Sequence, residues 1–428
     1  MLKNGCIKLA AAAAAALVLV PPMVLAQEAQ PVKIGFIVFL SGAAAAPFGV
    51  PARNSAELVI ELLNAGKAPA PYATKGFGGA PIQTVFVDEA GSTTTQVTEY
   101  RNLVQRHNVD LVIGPISSGN CIAIAPAAEE LKKLTIFHDC GTPRIFEEAS
   151  YKYVFRTGPT STMDSVGAAL YLKDVKPKLK SIAGVNQNYA WGQDSWVDFE
   201  AAMRQLFPNV EVKTSQMPKL FAGQLNTEIS SLLGAKAEVI HSSFWGGDLE
   251  SLILQSSPRG LFKKSTGILT AGETALYRFA AQIPDGTIIG ARGPAGPYAP
   301  DNELNRWFFK EFQERYQVRP NYSSYRMSQA ILGVKMAWEK AQAANGGKRP
   351  SNEQVAAALE NLTFEGPGGT VRMARGKGHQ AIMEMVYGMS KVVGGKMTVT
   401  NVKRYPAEKV NPPEGVKSAD WIKGGFKN

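Results

Sequence analysis

Along this chain, short runs of consecutive apolar residues alternate with longer segments whose apolar positions recur every three or four residues. Val32 to Leu40, Ile82 to Val87, Leu111 to Ile113, Leu134 to Phe137 and Ser181 to Val185 have the length and branching of buried strands. Val239-Ile-His-Ser and the run from Gly267 repeat that signature, each leading into a polar or aromatic turn. Between them the helical period appears: Ala56, Val59, Ile60 and Leu63 fall on one face, as do Val97, Tyr100, Leu103 and Val104. Ser92 stands where it can cap the second of these helices. Residues 192–207 read as a further helix, and from Asn302 the chain is mostly helical through 307–316, 325–344 and 353–359. Gly366 to Val402, rich in Gly, Val and Met, reads as short strands and turns, followed by a proline- and lysine-rich tail. Strand-then-helix order with short turns predicts parallel sheets with helices on both faces, an α/β class.

The turn after Leu111–Ile113 is the one around which the rest is arranged. A Gly-Pro pair leads to Ser117, Ser118, Gly119 and Asn120, and then to a helix carrying Ile122, Ala125, Ala128 and Leu131. Such a turn lies at the carboxyl end of a strand, where open α/β sheets bind ligands. The hydroxyls can cap the helix, or they and the free N–H groups can hold a ligand carboxylate. Both roles fit the residues.

Composition narrows the setting. Lys3 and Lys8, an apolar run from Leu9 to Val20 and Val24-Leu25-Ala26 read as a secretory signal peptide, residues 1–26, with cleavage before Gln27. Cys6 precedes the hydrophobic segment, so it cannot be a lipid-modified residue at the cleavage point. The mature chain is expected to be soluble and periplasmic. Removing residues 1–26 takes away two lysines and no acids, lowering the formal net charge from +10 to +8. The remaining basic residues are scattered, which argues against nucleic acid as a partner. About 400 mature residues exceed one ordinary core, so two domains are expected. Gly76 to Pro81 is a poor phosphate loop, since no Lys-Ser/Thr follows it. His138-Asp139-Cys140 is a poor metal site, because adjacent residues point in different directions and the chain has only four histidines. No metal or cofactor is expected. Ser117-Ser118 lacks the Gly-x-Ser-x-Gly elbow, which leaves a serine-dependent hydrolase poorly supported.

The ordered set Lys33-Ile-Gly-Phe36, Ser41-Gly42, Phe48-Gly49, Val112-Ile-Gly-Pro-Ile-Ser-Ser118, Asp139-Cys-Gly-Thr-Pro143, Tyr189-Ala-Trp-Gly192 and Thr270-Ala-Gly-Glu273 resembles the periplasmic binding proteins of amino-acid ABC transporters. More narrowly, it is similar to the leucine/isoleucine/valine type, over essentially the whole mature chain. The resemblance implies a two-lobed type I periplasmic binding protein fold, each lobe a mainly parallel sheet flanked by helices, joined by three crossovers. Lobe one would hold residues 31–157 and 294–379, and lobe two residues 158–293 and 380–428.

It also implies site residues. Ser118, with Ser117 beside it, and Thr142 match the family's carboxylate-binding hydroxyls, and Cys140 and Gly141 match the backbone lining the same spot. Glu273 matches the acid that pairs with the ligand's ammonium group, although an acid there can equally cap the next helix. Phe48, Trp191, Phe244 and Tyr322 fall at or beside positions of aromatic side chains in the family. Phe48, Trp191 and Phe244 stand where tyrosine is common, and Cys140 replaces a small residue, so the pocket wall is more apolar or bulkier. Trp191, Phe244 and Trp245 can also be read as core aromatics. Strands three and four would set the turns bearing Cys121 and Cys140 side by side, close enough for a disulfide. The function implied is not catalysis. A monomeric receptor captures an amino acid, or an aromatic or aliphatic carboxylate, by hinge closure and hands it to a membrane ABC permease. A sensor presenting its ligand to a membrane receptor shares the same fold.

Overall fold

The computed structural model describes Leu2 and residues 30–427, so the expected signal peptide lies outside the described residues except for Leu2. Among the described residues, fifteen strands form two sheets. In the first, β1 (Val32–Val38), β2 (Ile82–Asp88), β3 (Leu111–Ile113), β4 (Thr135–Phe137) and β5 (Val154–Arg156) run parallel. In the second, β6 (Ser181–Val185), β7 (Glu211–Gln216), β8 (Val239–Ser242), β9 (Thr266–Leu269) and β10 (Ile288–Gly290) do the same. The chain then returns to the first sheet with β11 (Thr363–Gly366), β12 (Gly369–Arg375) and β13 (Gln380–Ile382), and ends in the second with β14 (Met385–Val393) and β15 (Lys396–Tyr405). The strand orders are β11-β12-β13-β5-β4-β3-β1-β2 and β15-β14-β10-β9-β8-β6-β7. These are two lobes, between which the chain passes three times.

Burial explains the parallel strands. Val32, Ile34, Phe36 and Val38 pack into the larger core, while Ile37 turns to a second core on the opposite face of the sheet. A strand covered on both sides needs apolar residues at successive positions, and each large buried one adds about 1.5–3 kcal/mol. The turn after β3 begins at Gly114, whose φ of +117° and close approach to the Ile37 carbonyl leave no room for a Cβ. Helix ends follow the capping residues: the Ser92 hydroxyl accepts the Thr95 N–H at 3.1 Å, and Asn321 accepts that of Ser324 at 3.3 Å.

Several elements lie outside the sequence pattern. The helix Ser161–Val175 is buried on 11 of its 15 residues, so it shows no polar face to mark its period. The edge strand β7 and the helix Asn226–Ala235 are polar or short. One boundary also differs. The expected division at residue 379 would place Gln380–Ile382 in lobe two, but this strand is hydrogen-bonded to β5 and β12 in the first sheet. Pairing, rather than the local pattern, puts the last crossover after Ile382. The C-terminal helices Ala407–Val410 and Ser418–Lys423 pack on helices Ser161–Val175 and Ala190–Leu206 of lobe two. None of the described helices is long and apolar enough to cross a membrane.

Candidate functional site

The carboxyl ends of the two sets of parallel strands face each other across a cleft. Lobe one contributes Phe48, Ile116, Ser118, Asp139, Gly141 and Tyr322; lobe two contributes Tyr189, Trp191 and Trp245; Arg292 comes from the crossover after β10. Together they enclose a cavity of about 10 Å³ open to the centre of a water molecule. That is room for one water.

Its floor is the turn predicted from the sequence. The Ser118 hydroxyl accepts the Gly141 and Thr142 N–H groups at 3.1 and 3.2 Å, which leaves its own O–H to donate. Gly141 is glycine because the Trp191 ring lies on it, and a Cβ there would run into the indole. The indole N–H donates to the Ser243 carbonyl at 2.9 Å, so Trp191 is anchored in its own lobe. Phe48 meets Tyr322 and Trp245 edge-on at 5.2 and 5.1 Å between ring centroids. Trp245 in turn donates its indole N–H to the Tyr189 hydroxyl at 2.7 Å.

The charged part is Arg292. It is 4 % exposed and forms buried ion pairs with Asp139 of lobe one and Asp164 of lobe two. It also donates to the Asp139 and Pro159 carbonyls, each at 2.9 Å. Burial pushes both Asp139 and Asp164 up to about 6, although Arg292 pulls them down. Burial would favour a neutral guanidine, but the two carboxylates outweigh it and hold Arg292 above its ordinary value. The guanidinium lies 4.2 Å from the Trp191 ring centroid and 5.9 Å from that of Tyr322.

Of the sequence-expected residues, Phe48, Ser118, Gly141, Trp191 and Tyr322 line this cavity. Ser117 faces a separate chamber of about 430 Å³ at the cleft mouth, together with Glu89, Asn120 and Phe221. Thr142 turns its hydroxyl to Asp194 of lobe two at 2.6 Å, and Arg144 Nε donates to the same carboxylate at 2.9 Å. With the Gly247 N–H on the Ala43 carbonyl at 2.8 Å, these contacts join the lobes. Phe244 is fully buried, and it is the next residue, Trp245, that faces the cavity. Glu273 accepts the Tyr322 N–H at 2.9 Å and lines a different cavity of about 550 Å³, beside Tyr277, Arg319 and Asn321. Burial pushes Glu273 up to about 7.

Ile116, Asp139, Tyr189, Trp245 and Arg292 were not chosen from the sequence. Asp139 and Arg292 carried a readable signal, each being a charged residue within two positions of the end of a buried strand.

The sulfurs of Cys121 and Cys140 are in bonding contact, with Cα atoms 6.4 Å apart and a sequence separation of 19. In the exported protein this pair is expected to be oxidised. A loop of that size is worth on the order of 3 kcal/mol. Reduction, or Cys140→Ser, should therefore lower the melting temperature. Two freely alkylated thiols in the native, non-reduced protein would show that no bond forms.

The family model described as periplasmic binding protein matches residues 31–395. Among solved structures, a solute-binding protein of an ABC transporter from Rhodopseudomonas palustris BisB5, in complex with 3,4-dihydroxybenzoic acid, is similar with a TM-score of 0.75 and 19% identity. The match covers 88% of this chain and 98% of that one. A second R. palustris solute-binding protein, in complex with benzoate, matches with a TM-score of 0.74 and 21% identity over 90% and 99% of the two chains. An ABC-type branched-chain amino acid transporter protein from R. palustris CGA009 matches with a TM-score of 0.66 and 22% identity over 90% and 100%. With the family model spanning most of its length and its two sheets meeting at a cleft, the chain belongs to the periplasmic binding protein family.

Proposed function

We propose that the protein is a periplasmic receptor that captures a small carboxylate between its lobes and delivers it to a membrane permease of the ABC type. The observation that carries this reading is the cavity itself. It is lined by side chains from both lobes, and at its floor the Ser118 hydroxyl keeps a proton to donate. Lobe closure then stabilises the bound state by the contacts that only the closed cleft makes. Neighbours solved with benzoate and with 3,4-dihydroxybenzoic acid, and another named for branched-chain amino acids, share a carboxylate as common chemistry.

The reading is of a binding protein and not of an enzyme. Among the described residues, the Ser118 hydroxyl is hydrogen-bonded to backbone N–H groups and to no histidine, so nothing there activates it as a nucleophile.

A thermal-shift screen against amino acids, aromatic acids and their amides tests the reading. A ligand at one hundred times its dissociation constant adds about 2.7 kcal/mol of stability, whereas the matched amides should add little. Ser118→Ala should weaken the acids roughly tenfold or more, since a charge-assisted hydrogen bond is worth about 1.5–3 kcal/mol. Shifts from amides equal to those from acids, or unchanged affinity in Ser118→Ala, would remove the carboxylate from the account.

A further inference from the structure

We infer that the place filled by the Trp191 indole is the seat of the ligand's ring, and that the Arg292 guanidinium held against that place selects a planar aromatic carboxylate over a saturated one. This rests on the reading of the cleft as a carboxylate site and names the class of carboxylate.

Volume is the first argument. With Trp191 seated, about 10 Å³ remains, whereas roughly 150 Å³ accommodates a single benzene ring. A ring can therefore enter only where the indole withdraws. What the indole leaves behind is a slot of its own flat shape, bounded by the Gly141 backbone and the Arg292 guanidinium.

The second argument is how Arg292 is held. Asp164 takes its Nε, Asp139 takes Nη1, and the Pro159 carbonyl takes Nη2. With four of its five N–H groups committed, the guanidinium cannot offer a bidentate fork to a ligand carboxylate, and only one Nη2 N–H is left to donate. The group is fixed in place, with its central carbon 4.2 Å from the centre of the indole ring that fills the seat. A guanidinium placed over a ring attracts that ring's electron-rich face and has no comparable attraction for a saturated one. The ligand's carboxylate is then left to the Ser118 hydroxyl at the floor and at most that one N–H.

The third argument is how the seat opens. Trp191 lies in the first turn of the helix Ala190–Leu206 and its N–H is bonded within lobe two, while Gly141 belongs to lobe one. Separation of the lobes lifts the indole off Gly141. Indole and ligand ring thus compete for one place, and Trp191 is a competitor rather than a fixed wall.

Isothermal titration calorimetry of the exported protein tests this with benzoate, 4-hydroxybenzoate, cyclohexanecarboxylate and leucine, on wild type and Trp191→Ala. An aromatic acid should bind about tenfold or more tightly than cyclohexanecarboxylate. Trp191→Ala should bind the aromatic acid more tightly than wild type, because the competing ring is gone. Equal affinity for planar and saturated acids would overturn the inference, as would weaker aromatic binding by Trp191→Ala, which marks the indole as a wall stacked on the ligand. Binding of leucine alone would overturn it while leaving the carboxylate-receptor reading in place. Binding of none of the four by either protein would count against that reading itself.

Discussion

Replacing Arg292 by methionine should destabilise the protein by about 3–5 kcal/mol, the usual cost of removing one partner from a buried ion pair. The substitution keeps an unbranched, flexible stem but leaves Asp139 and Asp164, each 2 % exposed or less, without their shared cation. The nearest other cation, Arg326, is itself pulled down to about 10 by burial, and its Nε and Nη2 have no hydrogen-bond partner among the described residues. It cannot take over both acids. Two further expectations separate this cause from a general packing defect. Adding Asp139→Asn and Asp164→Asn to Arg292→Met should recover much of the loss, since a neutral network no longer buries charge. Lowering the pH toward 5 should also recover part of it, by protonating the two acids. Urea unfolding of the single and triple variants is the measurement. A single variant within about 1 kcal/mol of wild type would show that the acids do not depend on Arg292.

The protein should be more stable at pH 5 than at pH 8, and by several kcal/mol. Burial pushes Glu89 up to about 8 and Asp198 and Glu273 up to about 7. In the unfolded chain such groups titrate near 4. Between those values the native state binds more protons than the unfolded state, so stability falls as the pH rises through that window. Each group contributes about 1.4 kcal/mol for every pH unit between its two pKa values. Asp139 and Asp164, pushed up to about 6, act in the same direction. Asp198 offers a check on the cause. It accepts the Ser161 and Thr162 hydroxyls at 3.1 and 2.8 Å, bonds an asparagine oxygen can also accept, so Asp198→Asn should flatten the slope and stabilise the protein at pH 8. Unfolding free energies that rise steadily from pH 5 to pH 8 would contradict this account.

How much of the site was legible depended on how local each feature is. The turn Gly114–Asn120 was readable because its strand, its hydroxyls and its helix are adjacent in sequence. Trp191 and Tyr322 were found through the resemblance, which carries spatial information that spacing alone lacks. Thr142 shows the limit. Its position beside Ser118 was anticipated, but its hydroxyl is taken by Asp194, 52 residues away in the other lobe. Phe244 and Trp245 show another. After β8 ends at Ser242, the turn decides which of two neighbouring aromatics faces the cleft, and no alternation survives to indicate it.

While the two-lobed form came with the family resemblance, by itself the sequence determined the alternating strands and helices, the α/β class, the export signal as an expectation, and the turn at the floor of the cleft. Each rests on the identities of residues close along the chain: apolar runs, helical periods, caps and a glycine under a crowded carbonyl. Only the tertiary structure decided which charges meet. Arg292 lies 153 residues from Asp139 and 128 from Asp164, and no local pattern favours either pairing. The same holds for Glu273, whose carboxylate is turned to the Tyr322 N–H, and for the β13 strand, which joins the first sheet across more than 220 residues. Long-range pairing depends on where whole elements pack. That is settled by burial summed over both cores rather than by any residue's neighbours in sequence.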